Sequence, residues 1–274
     1  MEKIIEVRYQ WQQGKFSDES ELVLSAEDYC NIHLIELSRY SRYNYLRFLF
    51  INRFGKERLS TFLNQLSKYF SIYSIVFDKS IYHVQTKMFN LLKKMYESNT
   101  SSDDIINLIN QYIKEPMQYE KGDSRQAVSN VLNFQNIVYN AKKKNIICRT
   151  SAMLDEDGIK TTNGEQITKF RDILFRNQID IEHIQSVNHK DIILRNQIQN
   201  EWGNNLNSIG NLVVLEYSIN RKIGNNEVKK IDGYKQSQFK SVNKLANDVN
   251  TWTIEKCINR KKDESEKLLN YWFG

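Results

Sequence analysis

Apolar residues recur at spacings of three and four along the first half of the chain. Residues 45–50, 59–70 and 84–95 show this spacing, with polar and basic residues between the apolar positions. Because an α-helix turns once every 3.6 residues, such spacing places the apolar side chains on one face. The only proline of the chain is Pro116, so proline interrupts this pattern at one point alone. The first half is therefore predicted to be helical.

The second half contains two short apolar runs of β-strand character. The first runs from Asn177 to Ile181, and polar residues typical of a loop follow Ile184. The second is a compact run from Leu212 to Leu215. Ser218 is a predicted N-cap, so a helix is expected to begin just after it. The predicted order is strand, loop, strand, helix.

Residues suited to cutting a phosphodiester lie at the ends of these runs. His183 follows the first strand, and histidine is the side chain whose unperturbed pKa lies closest to neutral pH, as a general base requires. Glu182 and Asn220 offer oxygens of the kind that Mg²⁺ prefers. Adjacent strand residues point to opposite faces, so Glu182 and His183 serve different partners only if the strand frays or turns there. His183 is therefore expected at a strand end, facing a cleft.

The segment from about residue 169 to the C-terminus carries a series of short motifs. It resembles the HNH nucleases, also called His-Me finger or ββα-metal nucleases. It is most similar to the GmrD-type nuclease half of the GmrSD modification-dependent, or type IV, restriction systems. The resemblance covers a little under half of the chain. The residues that carry it are Glu182-His183-Ile184, Ile209-Gly210-Asn211-Leu212, Asn220 with Lys222, then Lys230, Tyr234 and Ser237, and finally Trp252, Ile258, Arg260 and Trp272.

The resemblance implies a role for each polar residue of the site. His183 is expected to act as the general base, and Asn211 is expected to orient it. Glu182 and Asn220 are expected to hold one divalent ion, Mg²⁺ or Mn²⁺. Asp180 is an alternative metal ligand, because it and Glu182 flank one apolar residue and the sequence does not say which carboxylate points inward.

The same resemblance assigns weaker roles to two basic residues and implies a reaction. Arg221 and Lys222 are candidates for contacts with DNA phosphates, although Arg221 also suits a solvated helix position. The predicted enzyme is a metal-dependent endonuclease that hydrolyses phosphodiester bonds in DNA, as an effector of bacterial defence against phages. Its fold is predicted to be mostly α, with a small ββα-metal (HNH) core behind a helical N-terminal domain.

Domain organisation and partners follow from loops, charge and missing motifs. We place a boundary near residue 140, between a helical domain (1–140) for partner docking or DNA contact and an HNH nuclease domain (141–274). Most of the formal +6 charge lies in the first 150 residues. The Asp-Gly-Gln-Gln-Arg motif of GmrSD-like sensor halves does not occur, and neither does a Walker-type phosphate loop. A separate NTPase sensor subunit or domain is therefore expected to select the target, and the expected target is modified phage DNA.

Cysteine usage and hydropathy point to the cytoplasm. Cys30, Cys148 and Cys257 are far apart and odd in number, which suits neither a disulfide framework nor a Cys-x-x-Cys knuckle around zinc. We therefore expect no structural zinc, with packing holding the fold instead. No apolar run approaches the ~18 residues of a membrane span, and no signal segment opens the chain.

Two other functions compete with the DNA endonuclease. Arg176-Asn177 followed by His183 fits the loose pattern of HEPN ribonucleases, which are helical and cut RNA without metal. A non-catalytic helical module that binds nucleic acid or a partner is the other alternative. The segment from Arg39 to Arg47 interleaves basic and aromatic residues, which suits nucleic-acid contact. Its more conservative interpretation is an amphipathic helix with packed tyrosines and solvated arginines.

Overall fold

The computed structural model describes residues 2, 5, 25–76, 82–115, 123–134, 137–155, 178–224 and 226–274. Within these ranges the chain is mostly helical, with one two-stranded sheet. It divides into two compact units, residues 1–124 and 125–274. None of the described helices is long and apolar enough to cross a membrane. The helical character predicted for the first half is confirmed.

The first unit is built around one long buried helix. This helix, α3 (Leu59–Val76), packs against α1 (Ala26–Leu37), α2 (Leu46–Phe54) and α5 (Ser102–Lys114), and the side chains on most of its length are buried. A short 3-10 turn, Ser41–Tyr43, lies between α1 and α2. The helices of the first unit are α1 (Ala26–Leu37), α2 (Leu46–Phe54), α3 (Leu59–Val76), α4 (Tyr82–Met95) and α5 (Ser102–Lys114).

Serine caps decide where two of these helices begin. Ser101 Oγ accepts a hydrogen bond from the Asp104 backbone N–H, and the Asp104 carboxylate accepts one from the Ser101 N–H. This capping box satisfies two backbone donors that a helix start leaves unpaired. Ser25 and Asp28 repeat it at α1. The capping box therefore places the start of the helix at Ser102, directly after Ser101.

The tyrosines of the basic and aromatic segment belong to the core of the first unit. Tyr40, Tyr43 and Tyr45 are all buried. Tyr40 and Tyr43 stack on Phe70 of α3, with ring centroids 5.6 and 5.8 Å apart. Stacked and offset aromatic pairs stabilise a core beyond the area that they bury. The tyrosines therefore pack as the more conservative interpretation expected, and their rings are not available to stack on nucleic-acid bases. The rest of that interpretation is wrong, because the segment up to Tyr45 forms turns rather than an amphipathic helix and Arg47 is buried rather than solvated.

The second unit surrounds a small antiparallel sheet with helices. The register pairs Ile179 with Glu216 and His183 with Leu212. Short 3-10 turns occupy Ile137–Tyr139, Gly203–Asn207, Ile209–Asn211 and Val249–Thr251. The regular elements are α6 (Ser124–Phe134), α7 (Ala141–Asp155), β1 (Ile179–His183), α8 (Ile192–Trp202), β2 (Leu212–Glu216), α9 (Tyr217–Ile223), α10 (Glu227–Gln236), α11 (Lys240–Leu245) and α12 (Ile254–Phe273).

The predicted order of strand, loop, strand and helix is present, with two changes. Helix α8 lies within the connection between the strands. Helix α9 begins at Tyr217, directly after β2, with Glu216 at the N-cap and no side-chain cap. The predicted Ser218 cap is therefore wrong. The Tyr217 N–H donates to the carbonyl of Gln178, the residue before β1 (2.8 Å). Backbone pairing between the two segments therefore continues one residue past the end of β2.

The two compact units divide at residues 124 and 125, earlier than the boundary near 140 that we placed from the sequence. Helix α6 is tied to α12 by hydrogen bonds from the Arg125 guanidinium to the Leu269 carbonyl (3.3 Å) and to Asn270 Oδ1 (3.0 Å). Lys261 of α12 also donates to the Asn133 carbonyl (3.4 Å). These contacts are distant in sequence, which is why loop composition did not indicate them.

Helix α12 holds the turn that precedes β2. Nη1 of Arg260 lies within hydrogen-bond distance of three carbonyls, those of Ile209 (2.7 Å), Gly210 (2.9 Å) and Leu212 (3.0 Å), and its two N–H groups are shared among them. A Cβ at Gly210 would lie 2.2 Å from the Cys257 carbonyl oxygen, so glycine is required for this close approach. The glycine and arginine of the motif series therefore share one task, which is to seat this turn on α12.

Candidate functional site

His183 is the last residue of β1 and is partly buried. Its Nε2 lies 2.9 Å from Asn207 Oδ1. Burial lowers the pKa of His183. The hydrogen bond with Asn207 and the negative charge of Glu182 oppose this change, and the positive charges of Lys230 and Lys144 add to it. The neutral imidazole, which can accept a proton, is therefore favoured. The structure confirms the predicted position at a strand end.

Asn211 is fully buried and has all of its hydrogen-bonding capacity engaged by backbone and tryptophan groups. Its Oδ1 accepts from the Gln185 N–H (2.8 Å) and from Trp252 Nε1 (3.1 Å). Its Nδ2 donates to the carbonyls of Leu206 (2.8 Å) and Gln185 (3.2 Å). Asn211 thus fixes the bend that follows His183, and any influence it has on the imidazole passes through the backbone.

Asp180 and Asn220 meet on one side of the sheet. Asn220 Nδ2 of α9 lies 3.0 Å from Asp180 Oδ2 of β1, and both side chains are partly buried. They are 40 residues apart and come together because α9 follows β2, the strand that pairs with β1. A carboxylate and an amide at this distance offer two hard oxygen donors once the amide rotates.

Glu182 is engaged by a buried lysine. Lys230 Nζ of α10 lies 2.7 Å from Glu182 Oε1 and also donates to the carbonyls of His183 (2.5 Å) and Ile184 (3.1 Å). The Lys230 side chain is 0% exposed, and these three acceptors match the three N–H donors of an ammonium group. The charge on Glu182 is therefore balanced within the protein.

The three predicted metal ligands thus fall into two arrangements. The structure brings Asp180 to Asn220 and places Glu182 on Lys230. Across the ranges that the structure describes, no group of three or more His, Cys, Asp and Glu side chains is arranged to hold a metal ion. Two oxygen ligands suit Mg²⁺, which usually keeps several waters and binds through one or two carboxylates. Asp180 and Asn220 therefore fit such an ion.

Arg221 and Lys222 are exposed on α9, next to Asn220 in sequence. The Arg221 guanidinium lies over the Tyr217 ring, 3.7 Å from its centroid. Such cation–π contact reduces the number of orientations that a flexible arginine samples. In the described part of the chain neither residue forms an ion pair, so both charges are available to a phosphate.

The remaining polar motif residues tie α10 to the two strands. Lys230 binds the end of β1, as described above, and Ser237 Oγ donates to Glu216 Oε2 at the end of β2 (2.8 Å). The Gln238 N–H donates to the other Glu216 oxygen (2.6 Å). Tyr234 between them is fully buried, which raises the pKa of its phenol. These residues support the site without facing an open surface.

Sequence reasoning gave no role to Asn207 or to Lys230. Asn207 lies in a 3-10 turn, outside any strand or helix period, and is 24 residues from its partner His183. Lys230 stood within the motif series, but a lone lysine on a helix is usually solvated. Its place in the motif series was the sequence signal that singled out Lys230. That signal did not indicate which groups Lys230 contacts.

The model of the family described as "GmrSD restriction endonucleases, C-terminal domain" matches residues 123–263, just over half of the 274-residue chain. The chain belongs to this family. No curated protein and no solved structure matches it. The resemblance to a GmrSD-type nuclease is therefore confirmed. The GmrSD C-terminal domain begins well before residue 169, where we placed the start of the resemblance from the sequence, and close to the division between the two compact units.

Lys230→Met should destabilise the GmrSD C-terminal domain strongly. The substitution keeps the apolar length of the side chain but leaves the Glu182 carboxylate, 17% exposed, without its cation. Removing one partner of a buried ion pair costs about 3–5 kcal/mol. Urea unfolding of the full chain measures the change as a lower midpoint.

The matched control is Lys229→Met, which changes the exposed neighbour on the same helix. It should alter the free energy of unfolding by no more than ~0.5 kcal/mol. The double variant Lys230→Met/Glu182→Gln should regain part of the loss, because it removes the unpaired charge. Wild-type stability of Lys230→Met would show that the ion pair contributes nothing to the fold.

Proposed function

We propose that this protein is a metal-dependent endonuclease of the HNH type that hydrolyses phosphodiester bonds in DNA. The observation that carries the proposal is the placement of His183 and the Asp180–Asn220 pair at one small sheet in a domain of the GmrSD restriction endonuclease family. A proton acceptor and a set of hard oxygen ligands are the two elements that hydrolysis of a phosphodiester needs.

His183 acts as the general base in this proposal. Its imidazole takes a proton from a water molecule while the water oxygen attacks the phosphorus, and the bond from phosphorus to the leaving oxygen breaks. Asn211 holds the bend after His183, so the imidazole stays in place during the reaction. General-base catalysis contributes roughly 10²–10⁴-fold to rate.

Asp180 and Asn220 would hold one divalent ion, Mg²⁺ or Mn²⁺. Such an ion, when bound, neutralises negative charge that develops on the phosphate and its leaving oxygen. Glu182 is the other ligand expected from the sequence. To reach the ion it would first have to leave Lys230, so Asp180 is the better candidate in this arrangement.

Arg221 and Lys222 are proposed to contact DNA phosphates. They project from the same helix as Asn220, and Tyr217 lies under the Arg221 guanidinium. An arginine held by an aromatic ring loses less conformational freedom when it binds a phosphate. These contacts would add affinity without sequence selectivity.

Selectivity is proposed to come from a partner. The absence of the sensor motif from the sequence favours a separate NTPase sensor, either a subunit or a further domain, which would direct the nuclease to modified phage DNA. The helical first unit is the proposed docking surface. This assignment makes the protein the cutting half of a restriction system that acts in the cytoplasm, where incoming phage DNA arrives.

The two alternative functions have less support from the structure. A HEPN ribonuclease requires its histidine on a helix, whereas His183 lies on β1. Arg176 and Asn177, which complete that pattern, lie outside the described residues. A non-catalytic module remains the alternative that only a cleavage experiment separates from the proposal.

His183→Ala should abolish most DNA cleavage without unfolding the protein. The imidazole is partly buried at a strand end and contributes little to the apolar core, whereas loss of the proton acceptor should lower the rate roughly 10²–10⁴-fold. Cleavage of supercoiled plasmid in Mn²⁺ measures the rate, and the melting temperature checks the fold. His189→Ala, in the loop after β1, should cleave like the wild type. Equal rates for His183→Ala and the wild type would remove His183 as the base.

Metal dependence should be visible in both cleavage and binding. Cleavage should stop in EDTA and return with Mg²⁺ or Mn²⁺. Asp180→Asn and Asn220→Ala should each weaken Mn²⁺ binding by about tenfold or more. Electron paramagnetic resonance of Mn²⁺ measures this binding. Glu182→Gln should weaken it equally only if Glu182 is a ligand, so this variant decides between the two carboxylates. Full cleavage in excess chelator would contradict a metal-dependent mechanism.

The isolated chain should bind DNA weakly and without selectivity. A few phosphate contacts make affinity fall steeply with salt, and they do not distinguish modified from unmodified duplexes of one sequence. Arg221→Ala should lower the slope of log affinity against log salt by about one, because one phosphate contact is lost. Fluorescence anisotropy without divalent ions measures binding while preventing cleavage.

The matched control for this measurement is Lys262→Ala, an exposed lysine on α12. It should leave the salt slope unchanged. A clear preference of the isolated chain for modified DNA would place recognition in this protein rather than in a sensor partner.

A further inference from the structure

The contact between His183 and Asn207 is not explained by any assignment made above. His183 Nε2 and Asn207 Oδ1 lie 2.9 Å apart, which is within hydrogen-bond distance. The charged groups around the imidazole are Glu182, Lys230 and Lys144. Glu182 and Lys230 are bound to each other, so the direct polar contact of the ring is with a neutral amide.

The backbone on both sides of this contact is held by one side chain. Asn211 Nδ2 donates to the carbonyl of Leu206, the residue before Asn207. The same amide group bonds the N–H and the carbonyl of Gln185, two residues after His183. The separation of the two contacting residues is therefore fixed by a fully buried Asn211. This arrangement gives Asn207 a defined place relative to the imidazole.

Packing fixes the turn that carries Asn207. The turn Gly203–Asn207 follows α8 directly, and Trp202 and Leu206 bury their side chains against Cys257 of α12. The Ser208 N–H and the Ser208 hydroxyl both donate hydrogen bonds to the Asn205 carbonyl (3.2 and 2.9 Å). Asn207 and His183 are both only partly buried. A side chain on such a support is suited to hold a partner in one orientation.

An amide oxygen can only accept a hydrogen bond, and this fixes the proton on the ring. A neutral imidazole carries one N–H, and the contact with Oδ1 is favourable only when that N–H is at Nε2. The lone pair is then at Nδ1. When Nδ1 takes a proton, the Nε2–H remains bonded to Oδ1, so the ring does not lose its contact as it becomes positive.

We propose that Asn207 is a positioning residue that holds neutral His183 as the Nε2–H tautomer and leaves Nδ1 as the atom that accepts the proton from water. The catalytic consequence rests on the proposed function, but the tautomer does not. This assignment identifies Nδ1 as the reacting nitrogen of the base and gives the two asparagines different roles. Asn211 fixes the backbone, and Asn207 fixes the ring.

Nitrogen-15 NMR of the full chain tests the tautomer directly. The protein is labelled with ¹⁵N and studied without metal at a pH where imidazole is neutral, and the His183 signals are those absent from His183→Ala. The wild type should show a protonated Nε2 and an unprotonated Nδ1. Asn207→Ala should show a mixture of both tautomers, whereas Asn207→Asp, which keeps an acceptor oxygen, should retain the Nε2–H form.

Cleavage kinetics supply the second measurement. Asn207→Ala should lower kcat at least about tenfold, because the ring loses its correct tautomer. KM for DNA should stay near the wild-type value, because the contacts with the substrate are unchanged. Asn207→Asp should recover part of the rate. The matched control is Asn205→Ala, in the same turn, whose Oδ1 accepts from Lys261 (3.0 Å). It should leave the His183 tautomer unchanged.

Three outcomes would overturn the proposal. They are an Nδ1–H tautomer in the wild type, an unchanged single tautomer in Asn207→Ala, or equal loss of the tautomer in Asn205→Ala. If Asn207→Ala fails to fold, loss of the Nε2–H form in a folded Asn207→Asp also counts against it. Failure of the endonuclease proposal has a different signature: the wild type would show no DNA cleavage, or His183→Ala would cleave at the wild-type rate, while the wild-type tautomer remained Nε2–H.

Discussion

The buried side chain of Asn211 is the interaction on which the candidate site depends. One amide connects the bend after β1, the 3-10 turn that ends at Asn207, and the indole of Trp252. A buried amide left without partners is costly, so the fold must supply two carbonyls, an N–H and an indole at fixed places around it. This requirement explains why an asparagine and a tryptophan far apart in sequence belong to one motif series.

Buried charges near the sheet are compensated within the protein. Lys230 balances Glu182 and also binds two carbonyls at the end of β1. Arg260 binds two carbonyls of the turn before β2 and the carbonyl of Leu212 at the start of β2, and it lies 3.6 Å from Glu264. Buried ion pairs add little net stability compared with apolar packing, but breaking one is expensive. Their effect here is to fix strand ends to helices, which determines where His183 and Asn220 lie.

The two carboxylates of β1 lie on the same face of the strand but contact different helices. Asp180 and Glu182 are two residues apart, so they project from the same face of the strand. Asp180 meets Asn220 at α9, and Glu182 meets Lys230 at α10. The sequence offered both as metal ligands and favoured Glu182. The sequence does not distinguish the two carboxylates, because both side chains point to the same face of the strand. Their different partners lie on helices more than 35 residues away in sequence.

Local patterns in the sequence determined the secondary structure and the identity of the family. Apolar spacing predicted the helices of the first half, two short apolar runs predicted β1 and β2, and the motif series indicated the GmrSD family that the comparison confirms. These features depend on neighbours within about one or two turns, so they can be read along the chain. The tertiary structure alone decided that Asn207 contacts His183, that Lys230 holds Glu182, and that α6 packs with the second unit. Those contacts join residues from 24 to 145 positions apart, and packing rather than local propensity brings such residues together.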